Sequence, residues 1–269
     1  MFRLCAVLLV ATCASAGSPS LDDAYRQMYN LRFDAAHRTL QEYQQLHPDD
    51  PMGPVSDAAA YLFSEFDRLH ILQGEFFTED ENFRHTAPLT PDPAVKREFE
   101  RAIERSRQLA ARALAHSPND RDAQFAEILR LGLHSDYLAL VEKSYLSALS
   151  EMKLGRALAE SLLAADPTYY DAYLAIGAEN YILSQKPAPV RWLLRMTGSA
   201  TDKTQGIEKL RLTAEKGHYL LPYARLLLAV AALRDKNSSQ ARDILQDLAR
   251  EYPANKLYSQ QLAKLTEPK

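Results

Sequence analysis

The stretch DPTYYDAYLAIGAENY, residues 166–181, decides the fold that the sequence predicts. Asp-Pro disfavours helical backbone, so that one helix ends here, and Thr168 can cap the helix that follows. Tyr173, Ile176 and Gly177 then stand at i, i+3 and i+4, which places a large, an aliphatic and a small residue on one helix face. The stretch therefore predicts two consecutive helices, the second with a small residue where a neighbour can approach closely.

A small residue followed twelve positions later by a proline recurs along the chain. The residues between each pair keep the apolar spacing of a helix. The four pairs are Ala36 with Pro48, Ser106 with Pro118, Gly155 with Pro167, and Ala241 with Pro253. A further helix has Gly206 at the small position and is expected to stop at Gly217 instead of a proline. This recurrence predicts an array of helix pairs.

The pattern resembles the tetratricopeptide-repeat (TPR) superfamily, in which units of ~34 residues carry a small residue early in the second helix and a proline at its end. The match is strongest at Tyr173, Gly177, Gly155 with Pro167, and Ala241 with Pro253. The resemblance implies an all-α, right-handed solenoid of about five helix pairs plus a C-terminal capping helix. It also implies a non-catalytic scaffold that binds a protein or peptide along its concave face.

We expect one repeat domain over residues 17–269, interrupted by insertions at about 74–93 and 186–199. The first insertion contains Phe76 and Phe77 among acidic residues and prolines, and it could fold over the concave face. The second contains a short amphipathic helix around Trp192. We expect that helix to cover an exposed end of the core.

Residues 1–16 have the composition of a secretory signal peptide. Arg3 is their only charge, an apolar run follows, and Ala14-Ser15-Ala16 forms an A-x-A cleavage site. Cleavage after Ala16 predicts a periplasmic or secreted protein. Lipoprotein anchoring at Cys13 is a minor alternative. No later stretch has the ~20 apolar residues of a transmembrane helix, so that no transmembrane segment is expected in the mature chain.

Composition and charge exclude several kinds of site. The chain is 46% apolar and 25% charged, as in an ordinary globular protein. Both cysteines, Cys5 and Cys13, lie in the predicted signal peptide, which leaves no thiol for a disulfide or a cysteine metal site. Without Arg3 the chain has 31 basic residues against 35 acidic ones. This mild acidic excess argues against a nucleic-acid partner.

Tyrosines and charged residues of the first helices are candidate partner contacts. Tyrosine is abundant, with 14 residues, and its ring buries area while its hydroxyl can bond. The candidates are Tyr25, Tyr29, Arg130, Tyr170, Glu179, Asn180, Tyr181 and Arg225, together with Phe76 and Phe77 of the first insertion. Tyr61, Tyr173 and Gly177 are instead assigned to the core because of their repeat positions.

Motifs of known enzyme classes are lacking: there is no nucleophile elbow, zinc-protease motif or dinucleotide fingerprint. Asp67 and His70, with Glu65 near, and His134 with Asp136 have spacings that could ligate a metal. A metal site requires three or four convergent ligands, however, and the sequence does not supply them. We expect no catalytic residue, metal or cofactor.

The sequence favours an exported adaptor that holds a protein or peptide partner in a concave groove. The alternative is a helical carrier of a small apolar ligand in a lidded pocket, and a metal-dependent enzyme is third. An open polar groove would favour the adaptor, whereas a mostly apolar cavity would favour the carrier.

Overall fold

A computed structural model describes residues 18–73 and 89–266, and in these two ranges the regular structure is helical. The all-α prediction is confirmed. The predicted signal peptide and Phe76 and Phe77 lie outside the described residues. The α-helices of the described ranges are α1 Leu21–Tyr29, α2 Phe33–Leu46, α3 Met52–Arg68, α4 Pro93–His116, α5 Arg121–Leu140, α6 Tyr145–Ala165, α7 Tyr173–Ser184, α8 Ala188–Met196, α9 Lys203–Lys216, α10 Leu221–Arg234, α11 Ser238–Glu251 and α12 Lys256–Thr266.

Four helices end two residues before a proline, where the sequence predicts an end. Helices α2, α4, α6 and α11 stop at Leu46, His116, Ala165 and Glu251. The proline ring pushes the preceding residue out of the helical region, as at Asp166, with φ −141° and ψ 88°. The small residues of the four pairs are all buried, which places each of them at a helix contact.

Consecutive helices pack on one another in chain order, from α1 on α2 to α11 on α12. Helix α8 is the exception: it does not pack between its neighbours in the chain, and α7 packs directly on α9. Helix α3 also contacts α1 on one hand and α5 on the other. The architecture is therefore all-α and repeat-like.

Helices α7 and α9 cross at two glycines. A Cβ on Gly177 would lie 2.9 Å from the backbone nitrogen of Leu210, and a Cβ on Gly206 would lie 2.7 Å from the backbone nitrogen of Tyr181. Real Cβ atoms essentially never approach other atoms this closely. The helices would have to move apart, because backbone atoms cannot move aside as the end of a flexible side chain can. The predicted packing role of Gly177 and Gly206 is confirmed. The space at Gly155 is less tight, since a Cβ added there would lie 3.6 Å from its nearest neighbour, Leu131 Cβ.

The helix expected to begin at Thr168 begins later. Thr168 donates its hydroxyl to Asp166 at 2.6 Å and does not cap a helix. The chain then makes one turn of 3-10 helix over Tyr170–Ala172, and α7 starts at Tyr173. This turn is bound elsewhere, since the carbonyl of Tyr170 accepts a hydrogen bond from the hydroxyl of Thr213.

The carboxylate of Asp171 explains why the turn differs from a regular helix start. It is buried and accepts hydrogen bonds from the backbone amides of His218, Tyr219 and Leu220 at 3.0 to 3.1 Å. Burial raises the pKa of Asp171, and the three amides oppose that rise. A Cβ on Gly217 would lie 2.6 Å from Asp171 Oδ1. The glycine stop after α9 thus makes room for this carboxylate.

The first helix contacts the end of the array. Asn255 donates to the carbonyl of Tyr29 at 2.9 Å, and the amide of Ala254 donates to Asn30 Oδ1 at 3.1 Å. The ring of Tyr29 lies 5.3 Å from that of Tyr252, between centroids, and its hydroxyl donates to the carbonyl of Tyr219 at 2.8 Å. The helices therefore form a closed circuit, in which the end of α1 meets the segment that leads into α12.

The prediction that α8 covers the core is wrong. None of its nine residues is buried, and Trp192, Leu193 and Met196 are 64%, 58% and 68% exposed. The helix is tied to the flanking segments by two arginines: Arg191 donates to the carbonyls of Ser184 and Lys186, and Arg195 donates to the hydroxyl of Thr201. Its apolar face is directed to solvent.

Replacement of Gly177 or Gly206 by alanine is expected to lower the melting temperature, because the added methyl group would push α7 from α9 at a cost of ~1–3 kcal/mol. Circular dichroism melting curves measure the change. The matched control is Gly132→Ala in α5, where a Cβ would meet no atom within 4 Å. That variant should melt at the same or a higher temperature, since alanine favours helix by ~1 kcal/mol over glycine. Equal melting temperatures for all three variants would contradict the crossing.

Candidate functional site

A mostly apolar cavity of about 230 Å³ lies inside the circuit of helices. Helices α1, α3, α5, α7, α10 and α12 contribute most of its lining, and α4, α8 and α9 contribute none. Phe63, Phe66, Phe125 and Leu133 are among the large side chains that face it. The contact between α1 and the 254–255 segment closes the wall at the junction of the chain ends. The cavity therefore depends on that junction.

Helix α5 shows why the lining is apolar. Phe125, Leu129, Gly132 and Leu133 line the cavity and recur at three- and four-residue steps, so that they share one face of the helix. Asp136 is the next residue of the same face and also lines the cavity. A carboxylate thus interrupts an otherwise apolar stripe.

The charged residues of the lining are acidic. Of the described residues that line the cavity, three are acidic and none is lysine, arginine or histidine. Asp171 is satisfied by the backbone amides of residues 218–220. Glu151 accepts from His134 Nδ1 at 2.7 Å. Asp136 is left as the lining carboxylate without a hydrogen bond or ion pair to the described residues.

Burial among apolar side chains raises the pKa of Asp136 to about 7. The side chain is half-buried and belongs to the cavity lining. Burial also raises the pKa of Tyr223, and the negative charge of Asp136 adds to that rise. Both residues line the cavity. The Tyr223 hydroxyl has no hydrogen-bond partner among the described residues, and its ring contacts Phe63 edge-on at 5.7 Å. Together Asp136 and Tyr223 form a polar corner in an apolar cavity.

Two of the candidate partner residues, Tyr25 and Tyr29, line the cavity. Tyr25 stacks on Tyr219 with ring centroids 4.8 Å apart, and its hydroxyl accepts from Ser56 at 3.4 Å. Tyr29 donates to the carbonyl of Tyr219. Both side chains therefore present their rings to the cavity while their hydroxyl groups are bonded to the protein.

The other described candidates lie away from the cavity and make internal contacts. Arg130 makes a two-point ion pair with Glu127 at 2.8 and 2.6 Å. Arg225 donates to the carbonyl of Ala214 and to Glu251, both at 3.2 Å. Tyr170 lies next to the ring of Tyr173, with centroids 6.4 Å apart.

Glu179, Asn180 and Tyr181 are buried and support the segment after α8. Glu179 accepts from the amide of Ala200 at 3.1 Å, and its other oxygen lies 2.9 Å from Arg156 Nε. Asn180 accepts from the amide of Asp202 at 3.0 Å. Burial raises the pKa of Tyr181 to about 12. These side chains hold α7 against the start of α9 instead of facing an open groove.

The spacings considered for a metal do not converge in the described residues, where no group of three or more histidine, cysteine, aspartate or glutamate side chains could hold an ion. His70 follows the end of α3 with φ 60° and contacts Gln73 at 3.1 Å. Glu65 is buried and makes a two-point ion pair with Arg68. In ranges 18–73 and 89–266, no helix is both long and apolar enough to cross a membrane.

Sequence reasoning considered Asp136 only as a metal ligand beside His134 and left Tyr223 out of the candidate site. The signal for Asp136 was present, because it continues the apolar stripe of α5 at helical spacing. It was obscured because α5 also buries residues that do not line the cavity, among them Ala126, Leu131 and Leu138. Tyr223 approaches Asp136 only through the circuit of helices, which the spacing of single helices does not reveal.

Comparisons of the chain with protein-family models, curated proteins and solved structures found no match.

The raised pKa of Asp136 predicts a specific pH dependence of stability. The folded-state pKa of about 7 exceeds the unfolded value of about 3.9. Stability from this group is therefore complete below about pH 4 and is lost as pH rises through about 7. Asp136→Asn should be more stable than the wild type at pH 8, by on the order of 1 kcal/mol, and nearly equal to it at pH 4.

Urea unfolding at both pH values measures this difference. Because the two proteins are compared at the same pH, groups that titrate equally in both cancel. The matched control is Asp243→Asn, which removes an exposed carboxylate on α11. A wild-type and Asp136→Asn difference that does not change with pH would contradict the assignment.

Proposed function

We propose that this protein is a TPR-like, right-handed solenoid of about five helix pairs that carries a small apolar ligand in its interior cavity. The observation that carries the proposal is the apolar lining inside a closed circuit of helices. Ligand pockets are typically apolar cavities with a few placed polar groups, and Asp136 and Tyr223 are such groups here. The signal-like sequence of residues 1–16 supports a periplasmic or secreted location for the carrier.

The polar atoms of the cavity support a ligand that is mainly apolar. Tyr29 and Asn255 line the cavity but bond to backbone carbonyls of the protein. Asp171 is likewise saturated by amides. An extended peptide would present many backbone donors and acceptors to this surface, and each buried group without a partner would cost free energy. A hydrocarbon or aromatic ligand has no such cost.

The second candidate is the adaptor for a protein or peptide, and the observation that favours it is α8. Val190, Trp192, Leu193 and Met196 are exposed on this helix. Arg191 and Arg195 flank them, and tryptophan and arginine are enriched at the centres of protein interfaces. In this candidate function the partner would bind the outer face of α8 rather than the interior.

Binding of a polarity-sensitive fluorescent dye separates the two candidates. The carrier predicts that Gly132→Phe weakens dye binding about tenfold or more, because the new ring would occupy the space into which Gly132 faces. Gly132→Ala is the matched control and should bind nearly as the wild type does. Trp192→Ser should leave dye binding unchanged. Loss of binding in Trp192→Ser with full binding in Gly132→Phe would overturn the carrier and favour a surface site.

A further inference from the structure

The charge of the cavity narrows the class of ligand, and this inference rests on the proposed carrier function. The lining residues described by the structure carry three carboxylates and no cationic side chain. Two of the carboxylates have partners in the protein: Asp171 binds backbone amides, and Glu151 binds His134. Asp136 has none. It lines the cavity from α5 beside Phe125, Leu129 and Leu133, where its carboxylate can meet a ligand.

We propose that the ligand is an apolar amine, whose protonated nitrogen pairs with the carboxylate of Asp136 while its hydrocarbon part contacts the surrounding leucine and phenylalanine side chains. A charge-assisted hydrogen bond to an ammonium would satisfy the lining carboxylate that has no partner among the described residues. Tyr223 can contribute as well. Its ring and that of Phe63 line the same cavity, and aromatic faces attract ammonium groups.

Other headgroups fit this corner less well. A carboxylate or phosphate ligand would add negative charge to a lining that has no cation to balance it, and like charges in an apolar site repel strongly. An alcohol could donate to Asp136, but it would leave the carboxylate charge uncompensated in an apolar environment. The amine is the headgroup that both neutralises the charge and supplies donors.

The raised pKa of Asp136 is consistent with this proposal. Burial raises the pKa of Asp136, and a bound ammonium would lower that pKa again because it favours the charged carboxylate. At pH 8 Asp136 is mostly ionised, and an alkylamine is still protonated. The comparison of headgroups is therefore made at pH 8.

Isothermal titration calorimetry with octylamine, octanol and octanoate tests the proposal, because the three probes share a chain length and differ in headgroup. The expected order of affinity is amine, then alcohol, then carboxylate, with the amine at least about tenfold tighter than the alcohol. An equal or higher affinity for octanol or octanoate would overturn the amine assignment. Failure of all three probes to bind would instead count against the carrier itself.

Two variants, Asp136→Asn and Glu151→Gln, test whether Asp136 causes the preference for octylamine over octanol. Asp136→Asn should remove the preference for octylamine over octanol and keep the affinity for octanol. Glu151→Gln removes a lining charge that His134 already pairs, so that the preference should persist. Persistence of the preference in Asp136→Asn, or its equal loss in both variants, would show that Asp136 does not bind the ammonium. The wild-type order of the three probes still tests the amine assignment if a variant fails to fold.

Discussion

The contacts between the first helix and the last segment of the described chain are the constraint on which the rest of the structure depends. Asn255 reaches the carbonyl of Tyr29, and Ala254 reaches the side chain of Asn30. Asp171 contributes from the middle of the chain, because it fixes the 218–220 segment whose carbonyl at Tyr219 receives the Tyr29 hydroxyl. These bonds turn a linear succession of helix pairs into a circuit with an interior.

The interior has chemical properties that no single helix pair possesses. A helix face that would line an open groove, such as the Phe125 face of α5, here meets faces of α1, α3, α7 and α10 across a shared cavity. In that low-dielectric space a carboxylate without a partner interacts strongly with any charge brought near it. Asp136 therefore has more influence on selectivity than a carboxylate of the outer surface, where water and salt screen charges.

The local elements of the fold were predictable from the sequence, because they depend on neighbours in the chain. The spacing of the sequence alone predicts the ends of four helices, each two residues before a proline. It also predicts the small positions of α7 and α9, which are glycines. Two local predictions failed: Thr168 bonds to Asp166 instead of capping a helix, and α8 exposes Trp192. The closure and the cavity were not predictable, since they join residues more than 200 positions apart. Of the candidate site, only Tyr25 and Tyr29 were identified.

The distance between α1 and α12 tests the closed circuit most directly. Nitroxide labels at Arg26→Cys and Lys256→Cys, two exposed positions, report it by electron paramagnetic resonance in a chain whose Cys5 and Cys13 are replaced by serine. The circuit predicts strong dipolar coupling with one narrow distribution of short distances, because both helices are fixed at the junction through Tyr29 and Asn255. A broad distribution of long distances would show an open array, and it would contradict both the closure and the cavity that depends on it.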